Sequence, residues 1–268
     1  MKFALLNNKI SVINYEKLDC GSSLDPFVTT EQYGEIKCNI KVQELSEAVY
    51  GIQRIENPGQ IQNVFFSQKD YKQVLCSLDK EYTEFLISTK EICKEDVFME
   101  LLMVAFYSYM SLHNALLLHA SVVTYENQGI VFTAASGVGK TTQAELWAKY
   151  KNAKILNGDK VFLKQEKDGI HAWGSPWKGS STYACNESAK LRAIVVLEQA
   201  EANSIQKLEG LDVLEYVVPH VFFPSWDTNC EQAVLTFLDK VLEETDVYLL
   251  KCRPDEEAVE LLAATIKE

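Results

Sequence analysis

The amino-acid sequence predicts an α/β fold with a β-rich N-terminal region. From residue 1 to about 95, short apolar runs alternate with polar, Gly- and Asp-rich stretches, a pattern typical of strands and turns. From residue 96 to 268, apolar strand patterns instead alternate with longer helical patterns. We therefore expect a β-rich N-terminal region at 1–95 and an α/β domain at 96–268.

Composition narrows the classes of function. The chain has 268 residues and a net charge of −12, which disfavours a nucleic-acid partner because phosphate backbones attract basic surfaces. Seven scattered cysteines without a C-x-x-C pair indicate neither a zinc site nor a disulfide framework. The sequence contains no apolar window long enough to cross a membrane. These observations predict a cytoplasmic protein with reduced thiols and no membrane partner.

The N-terminal region contains short predicted strands and no recognisable set of acids, bases or metal ligands. Its apolar or alternating runs are Phe3–Leu6, Ile10–Ile13, Ile36–Val42, Val64–Ser67, Gln73–Leu78 and Glu84–Ser88. Substrate docking, assembly and plain scaffolding are all open as roles for this region.

The first predicted helix and the strands that follow it are strongly apolar. Asp96–Ser111 has helical spacing and apolar residues almost all round, which predicts a helix buried against a sheet. Ala115–Thr124 and Ile130–Thr133 read as two buried strands joined by a turn. His119 lies within the first of these strands, where spacing alone favours a histidine of the core.

A glycine-rich stretch joins the second strand to a helical pattern that runs to Tyr150. It reads AASGVGKTT, close to the phosphate-loop pattern G-x-x-x-x-G-K-[ST], with Ala134 in place of the first glycine. Glycines let the backbone turn its N–H groups inward, and the helix presents a partly positive N-terminus to an anion. The predicted nucleotide-binding residues are Ala135, Ser136, Gly137, Val138, Gly139, Lys140, Thr141 and Thr142.

Two residues of this stretch have specific predicted roles. Lys140 is placed to reach the β- and γ-phosphates of a nucleotide, and the hydroxyl of Thr141 is placed to hold Mg²⁺. The alternative interpretation is a tight strand-to-helix turn that carries an exposed lysine.

Two carboxylates at strand ends are candidate magnesium ligands. Asp159 follows the short strand Ala153–Leu156, and Glu198 follows the strand Ala193–Leu197. A carboxylate at a strand tip downstream of a phosphate loop can bind Mg²⁺ or accept a hydroxyl proton. We favour Asp159 over Glu198 as the metal ligand. An ordinary Asn-Gly-Asp hairpin turn is the alternative for Asp159.

The C-terminal part of the chain adds two candidate cations. Lys178 lies in the Gly-, Pro- and Ser-rich stretch 172–181, and Arg253 follows the predicted strand Val247–Lys251. Either side chain can bind phosphate oxygens, and the alternatives are a solvated lysine and a surface salt bridge. Helical patterns occupy Leu211–Val218, Glu231–Glu244 and the segment that follows Glu256.

With these residues placed, the region from His113 to Glu201 resembles the catalytic domain of HPr kinase/phosphorylase and that of its relatives, the kinases of lasso-precursor peptides. The shared order is a histidine on a strand, a phosphate loop and an Asp-containing strand tip. Here these are His119 in LLLHASVV, the loop AASGVGKTT, and Asp159 in ILNGDKVFL. The resemblance implies a nucleotide-binding core like that of phosphoenolpyruvate carboxykinase.

The resemblance further implies an ATP- and Mg²⁺-dependent kinase that acts on a hydroxyl group of a peptide, a protein or a small molecule. Lys140 and Thr141 would bind phosphate and Mg²⁺, His119 would lie near the transferred phosphoryl group, and Asp159 would hold Mg²⁺ or act as the base. Homo-oligomers are allowed. The chain departs from the bifunctional enzymes by carrying Gly158 before Asp159, where those enzymes have paired aspartates, so we do not expect phosphorylase activity.

Two other classes of function are open from the sequence. A nucleotide-binding regulatory module without transfer chemistry is compatible with the single aspartate at the strand tip. An enzyme like phosphoenolpyruvate carboxykinase would need an arginine-rich carboxylate pocket, but the arginines of the chain are only Arg54, Arg192 and Arg253.

Overall fold

The computed structural model describes residues 1–19, 21–30, 36–42, 62–66, 74–79, 81–89 and 93–267. Within these ranges the protein is mixed α/β and has five α-helices. It divides into two compact units. Unit 1 comprises Met1–His113 and Pro224–Gln232, and unit 2 comprises Asn114–Phe223 and Ala233–Glu268.

Unit 1 is built on a mixed sheet. Its described strands are β1 (Lys2–Leu5), β2 (Asn8–Ile13), β3 (Leu18–Asp19), β4 (Ile36–Val42), β5 (Gln62–Phe66), β6 (Val74–Leu78), β7 (Glu84–Thr89) and β8 (Cys93–Lys94). Among the described residues, six strands form one sheet in the order β1-β2-β4-β7-β6-β5, and β3 pairs with β8. The predicted β-rich character of the N-terminal region is confirmed. The ends of two predicted strands, Ser67 and Gln73, lie outside the described residues.

Helix α1 (Glu95–Ser111) belongs to unit 1, although the sequence predicted a boundary between residues 95 and 96. Its first turns contact β3 and β8, which ties it to the N-terminal strands. The segment Pro224–Gln232 also returns to unit 1, where the hydroxyl of Tyr82 donates a 2.7 Å hydrogen bond to Asp227. An apolar helix is expected to be buried, but its composition does not indicate which sheet buries it.

Unit 2 has a larger sheet with helices on both faces. Its strands are β9 (Ala115–Tyr125), β10 (Gln128–Thr133), β11 (Lys154–Asn157), β12 (Lys160–Glu166), β13 (Gly169–Trp173), β14 (Ser188–Gln199), β15 (Ser204–Lys207), β16 (Val221–Phe222) and β17 (Asp246–Cys252). The remaining helices are α2 (Lys140–Lys151), α3 (Leu211–Val217), α4 (Thr228–Glu244) and α5 (Glu256–Thr265).

Three parallel strands form the centre of this sheet. β10 pairs with β14, and β14 pairs with β17, all in the parallel sense. The long strand β9 lies antiparallel to β10 through its second half and to β12 through its first half. The carboxyl ends of the three parallel strands therefore meet at one edge, where α/β proteins generally bind ligands.

Strand alternation divides the core of unit 2 into two clusters. On β10, the side chains of Ile130 and Phe132 pack in one cluster and that of Val131 packs in the other. The first cluster contains residues of α2 and α5, and the second contains residues of α3 and of the later turns of α4. Because successive side chains of a strand point to opposite faces, this partition shows that helices cover the sheet on both sides.

The strands and helices predicted from sequence in residues 114–267 are observed, with ends shifted by a few residues. The prediction omitted β13, β15 and the two-residue β16. Five of the seven cysteines have described side chains, and all five are free thiols. Within the described part of the chain, no helix has both the length and the apolar character needed to cross a membrane.

Candidate functional site

The glycine-rich loop runs from the end of β10 to the first residue of α2. Gly137 and Gly139 have φ angles of 82° and 124°, which side chains with a β-carbon rarely adopt. A β-carbon added at Gly137 would meet no atom within 4 Å, so the backbone angle and not crowding selects glycine there. The open space beside the loop and the amides at the start of α2 suit an anion such as phosphate.

Lys140 is the first residue of α2, and its side chain folds back into the loop. Its ammonium donates hydrogen bonds to the carbonyls of Ala134 (3.0 Å) and Ala135 (3.3 Å), and the residue is buried. Burial lowers the pKa of Lys140, whereas the negative charge of Asp159 acts in the opposite direction. The two carbonyls therefore hold a buried cation within reach of whatever the loop binds.

Thr141 connects the start of α2 to the strand tip that precedes β12. Its hydroxyl donates to the carbonyl of Gly158 at 3.1 Å. The tip itself is fixed by Asn157, whose side-chain oxygen accepts the N–H groups of Asp159 and Lys160, both at 2.8 Å. These two hydrogen bonds form an Asx turn, in which the Asn157 side chain takes the place of a backbone carbonyl. The turn holds the Asp159 backbone in one conformation.

The carboxylate of Asp159 has two side-chain partners. Its Oδ1 lies 3.0 Å from Nε2 of His119, and its Oδ2 accepts from the ammonium of Lys160 at 2.7 Å. Burial acts to raise the pKa of Asp159, but the hydrogen bonds from His119 and Lys160 outweigh it and lower the pKa to about 2. The carboxylate is therefore ionised at neutral pH.

Strand pairing brings a second histidine to this position. On one side of β9, Lys160 pairs with His119, and on the other side Val221 of β16 pairs with Leu118. His220, just before β16, is thereby placed beside His119. Burial lowers the pKa of His220, and the neighbouring Lys140 and His119 lower it further, which favours the neutral imidazole.

The loop at 174–181 packs onto Asp159. A β-carbon added to Gly179 would lie 2.8 Å from Cγ of Asp159, and one added to Gly158 would lie 2.3 Å from the hydroxyl of Ser181. Lys178 lies in this same loop, and its backbone carbonyl accepts a hydrogen bond from the N–H of Ser181. The two glycines therefore permit a close approach that a larger residue at either position would prevent.

Glu198 is placed differently from the other predicted metal ligands. It pairs in register with Lys251 of β17, and its carboxylate forms a 2.9 Å ion pair with the Lys251 ammonium. Thr141 and Asp159 are joined through Gly158, whereas Glu198 lines a cavity on the carboxyl edge of the sheet. Among the described residues, no group of three His, Cys, Asp or Glu side chains is arranged as a metal site.

The cavity has a volume of about 410 Å³ and lies between the glycine-rich loop and the ends of β14 and β17. Gln199 donates to the carbonyl of Val138 at 3.1 Å and so connects β14 to the loop. Arg253 also lines the cavity, and its guanidinium is paired with Asp255 and Glu257. The predicted salt-bridge alternative for Arg253 is therefore present in the structure.

Sequence reasoning identified the loop, His119 and Asp159, and the structure brings Lys140, Thr141, His119 and Asp159 together. It did not identify Lys160 or His220. Lys160 had a local signal, because it follows Asp159 in the turn that Asn157 organises. His220 had none, because only the pairing of β16 with β9 brings it to the site.

Similarity to known proteins identifies the family of the chain. A family model described as SynChlorMet cassette protein ScmC matches residues 74–213, more than half of the chain. The chain belongs to the ScmC family. The matched stretch of this ScmC-family protein contains the glycine-rich loop, His119 and Asp159, and it ends before His220. A comparison with curated proteins found no match.

Among solved structures, the ScmC-family chain is weakly similar to the Hpr(Ser) kinase/phosphatase from Coxiella burnetii. The sequence identity is 10%, the match covers 56% of this chain and 95% of that chain, and the TM-score is 0.36. The family shown for the chain is thus ScmC, and the resemblance to HPr kinase/phosphorylase stays a prediction.

Proposed function

We propose that this ScmC-family protein is an ATP- and Mg²⁺-dependent phosphotransferase that acts on a hydroxyl group. The observation that carries the proposal is the hydrogen bond from Thr141 to Gly158, because it joins the glycine-rich loop to the tip that holds Asp159. A loop suited to phosphate and a paired carboxylate thereby belong to one site. Phosphoryl transfer depends mainly on positioning and charge stabilisation, so a small set of residues suffices.

The binding step rests on the loop and Lys140. The amides at residues 135–142 and the N-terminus of α2 would bind phosphate oxygens, and Lys140 would exchange its contacts with Ala134 and Ala135 for a phosphate. Two cations, Lys140 and Lys160, lie near one carboxylate, so the immediate surroundings of Asp159 favour an anionic ligand.

The side chains available for magnesium are oxygen donors, as that ion prefers. Thr141 and Asp159 would hold it, and Glu198, which is paired with Lys251, is the competing predicted ligand. When bound, Mg²⁺ supplies charge neutralisation at the phosphate oxygens. The chain therefore provides a donor set that fits the ion, although Asp159 already has two partners.

Asp159 would act by orientation more than by strong basicity. A carboxylate with a pKa of about 2 takes a full proton poorly, but it accepts a hydrogen bond well. We infer that Asp159 either holds Mg²⁺ or orients the acceptor hydroxyl, and that His119 keeps the Asp159 carboxylate in place. The acceptor class is a serine of a peptide or protein, or a small hydroxyl compound, with neither nucleic acid nor membrane as partner.

The test follows labelled phosphate from ATP to any acceptor in a lysate of the source organism, with Mg²⁺ present. Lys140→Met keeps the apolar stem but removes the charge, so transfer should fall by about 100-fold or more. Lys149→Met changes an exposed lysine of the same helix and serves as the matched control. Undiminished transfer by a folded Lys140→Met variant would remove the loop from the mechanism.

A nucleotide-binding regulatory module is the second candidate, and the occupied oxygens of Asp159 favour it. Wild-type protein that binds ATP, but neither transfers nor hydrolyses it with any acceptor in the lysate, would support this candidate over the kinase.

A further inference from the structure

The cavity beside the glycine-rich loop borders the residues proposed for phosphate binding at Gly137, Val138 and Gly139, and it extends beyond them. It opens at the carboxyl ends of β14 and β17, with Val138 and Gln143 on the loop and helix side and Glu198 and Arg253 on the strand side. Ligands of α/β sheets generally bind at this edge. Its volume of about 410 Å³ lies in the range of small-molecule sites.

Gln143 has a buried polar group without a partner in this cavity wall. The residue is 2% exposed, and its side-chain Nε2 makes no hydrogen bond to any of the described residues. A buried donor left in this state destabilises the fold, and such groups are uncommon in folded proteins. The amide is therefore suited to donate to an acceptor that a ligand brings into the cavity.

The surroundings of Gln143 indicate the chemistry of that ligand. The charged side chains of the wall already have partners, Glu198 in Lys251 and Arg253 in two carboxylates, so the cavity suits a neutral group better than a phosphate. The guanidinium of Arg253 is held at its edge by Asp255 and Glu257, and the face of a guanidinium can stack on an aromatic ring. Leu197 and Pro254 add apolar surface. A neutral, flat, hydrogen-bonding group joined to phosphates matches these walls.

We propose that the cavity binds the nucleoside part of the nucleotide whose phosphates lie on the glycine-rich loop, and that Gln143 donates a hydrogen bond to it. This inference rests on the proposed function for the phosphates and adds the residue that recognises the rest of the molecule. Gln143 thereby makes the protein prefer a nucleotide to a bare chain of phosphates.

Calorimetry with magnesium ATP and with magnesium tripolyphosphate separates the two parts of the ligand. Wild-type protein should bind ATP more tightly than tripolyphosphate.

Gln143→Leu removes the donor at similar volume, so the Kd for ATP should rise about 10-fold while that for tripolyphosphate stays within about twofold. Gln143→Glu removes the same donor and is the second variant. Gln206→Leu, on β15 and exposed, is the matched control and should change neither constant.

Three results would overturn the inference but not the proposed function. If wild-type protein binds ATP no more tightly than tripolyphosphate, or if both Gln143 variants leave the ATP constant unchanged, the cavity does not recognise the nucleoside. If both variants weaken ATP and tripolyphosphate equally, Gln143 supports the loop instead. In each of these cases the loop still binds phosphate and the proposed function stands. If wild-type protein binds neither compound, the proposed function itself fails and the inference fails with it.

Discussion

His119 and Asp159 are joined through their side chains, and the residue after His119 is joined to the backbone of Asp159. Nε2 of His119 lies 3.0 Å from Oδ1 of Asp159, and the N–H of Ala120, next to His119, donates to the carbonyl of Asp159 at 3.0 Å. The hydroxyl of Thr133, at the end of β10, donates to the carbonyl of His119 at 2.9 Å. The pair is therefore anchored to the same strand that leads into the glycine-rich loop.

A double-mutant cycle tests whether the pair acts as one unit. His119→Ala and Asp159→Asn should each lower kcat by about 100-fold or more, and the double variant should be about as slow as the slower single variant, because each residue works through the other. In all three variants the Kd for magnesium-free ATP should stay close to that of the wild type. Steady-state kinetics and calorimetry on the four proteins measure both quantities.

The chain contains a second histidine–aspartate pair that serves as the control. His171 lies 2.9 Å from Asp168 near the surface. His171→Ala and Asp168→Asn should leave kcat within about twofold, as expected of substitutions far from chemistry. Independent, multiplying losses from His119→Ala and Asp159→Asn would contradict the view that the two residues form a unit.

The contacts of Asp159 also predict how stability depends on pH. The pKa of its carboxyl is about 2 in the folded protein, against an ordinary value of 3.8. Between these two pH values the unfolded chain binds a proton that the folded chain does not. The contribution of Asp159, about 2 kcal/mol, is therefore complete above about pH 4 and is lost as the pH falls toward 2. Urea titrations of wild-type and Asp159→Asn proteins measure it.

The difference in the free energy of unfolding between wild type and Asp159→Asn isolates the contribution of Asp159 from that of the other carboxyls of the chain. The excess free energy of unfolding of the wild type should be constant above about pH 4 and should shrink toward about pH 2. A difference that does not vary across this window would show that the charged contacts of Asp159 do not stabilise the fold.

The sequence predicts much of this site because its central residues carry local signals. The loop follows an apolar strand and precedes a helix, and Asp159 stands at a strand tip. Glu198 also stands at a strand end, but its partner Lys251 lies on a neighbouring strand and is defined only by register. His220 and the unpaired amide of Gln143 likewise depend on tertiary pairing and burial, which periodicity does not contain.

The strands of the fold likewise divide into those that an apolar pattern predicts and those that form only by pairing with a neighbouring strand. Apolar β9, β10 and β14 were predicted, whereas β15 (SIQK) is short, polar and largely exposed and has no strand pattern of its own. It forms because β17 offers a free edge with which it pairs. The assignment of α1 to unit 1 likewise depends on tertiary contacts, because a helix that is apolar almost all round does not indicate which sheet buries it.

Gly179 tests how closely the 174–181 loop must approach Asp159. Gly179→Ala places a β-carbon about 2.8 Å from Cγ of Asp159 and also imposes a side chain at a φ of 58°. The variant should lower kcat and also lower the free energy of unfolding by about 1–3 kcal/mol, because the strained backbone and the displaced carboxylate both cost energy. Kinetics and urea denaturation measure the two effects.

Gly210→Ala separates those two effects. Gly210 has a φ of 59°, but a β-carbon there would meet no atom within 4 Å. Gly210→Ala should lower the free energy of unfolding by less than Gly179→Ala, because only backbone strain contributes, and it should leave kcat unchanged. Equal kinetic losses in both variants would mean that general destabilisation, and not the displacement of Asp159, explains the effect of Gly179→Ala.

Thr141 tests the predicted magnesium site without depending on turnover. Its hydroxyl donates to Gly158 in the structure and is the predicted ligand of the ion. Thr141→Val keeps the shape but removes the hydroxyl, so it should weaken binding of magnesium ATP by about 10-fold and weaken that of magnesium-free ATP far less. Thr141→Ser keeps the hydroxyl and should restore the wild-type dependence on Mg²⁺. Calorimetry with and without Mg²⁺ distinguishes the roles, because equal weakening under both conditions would assign Thr141 to holding the Gly158–Asp159 tip instead of the metal.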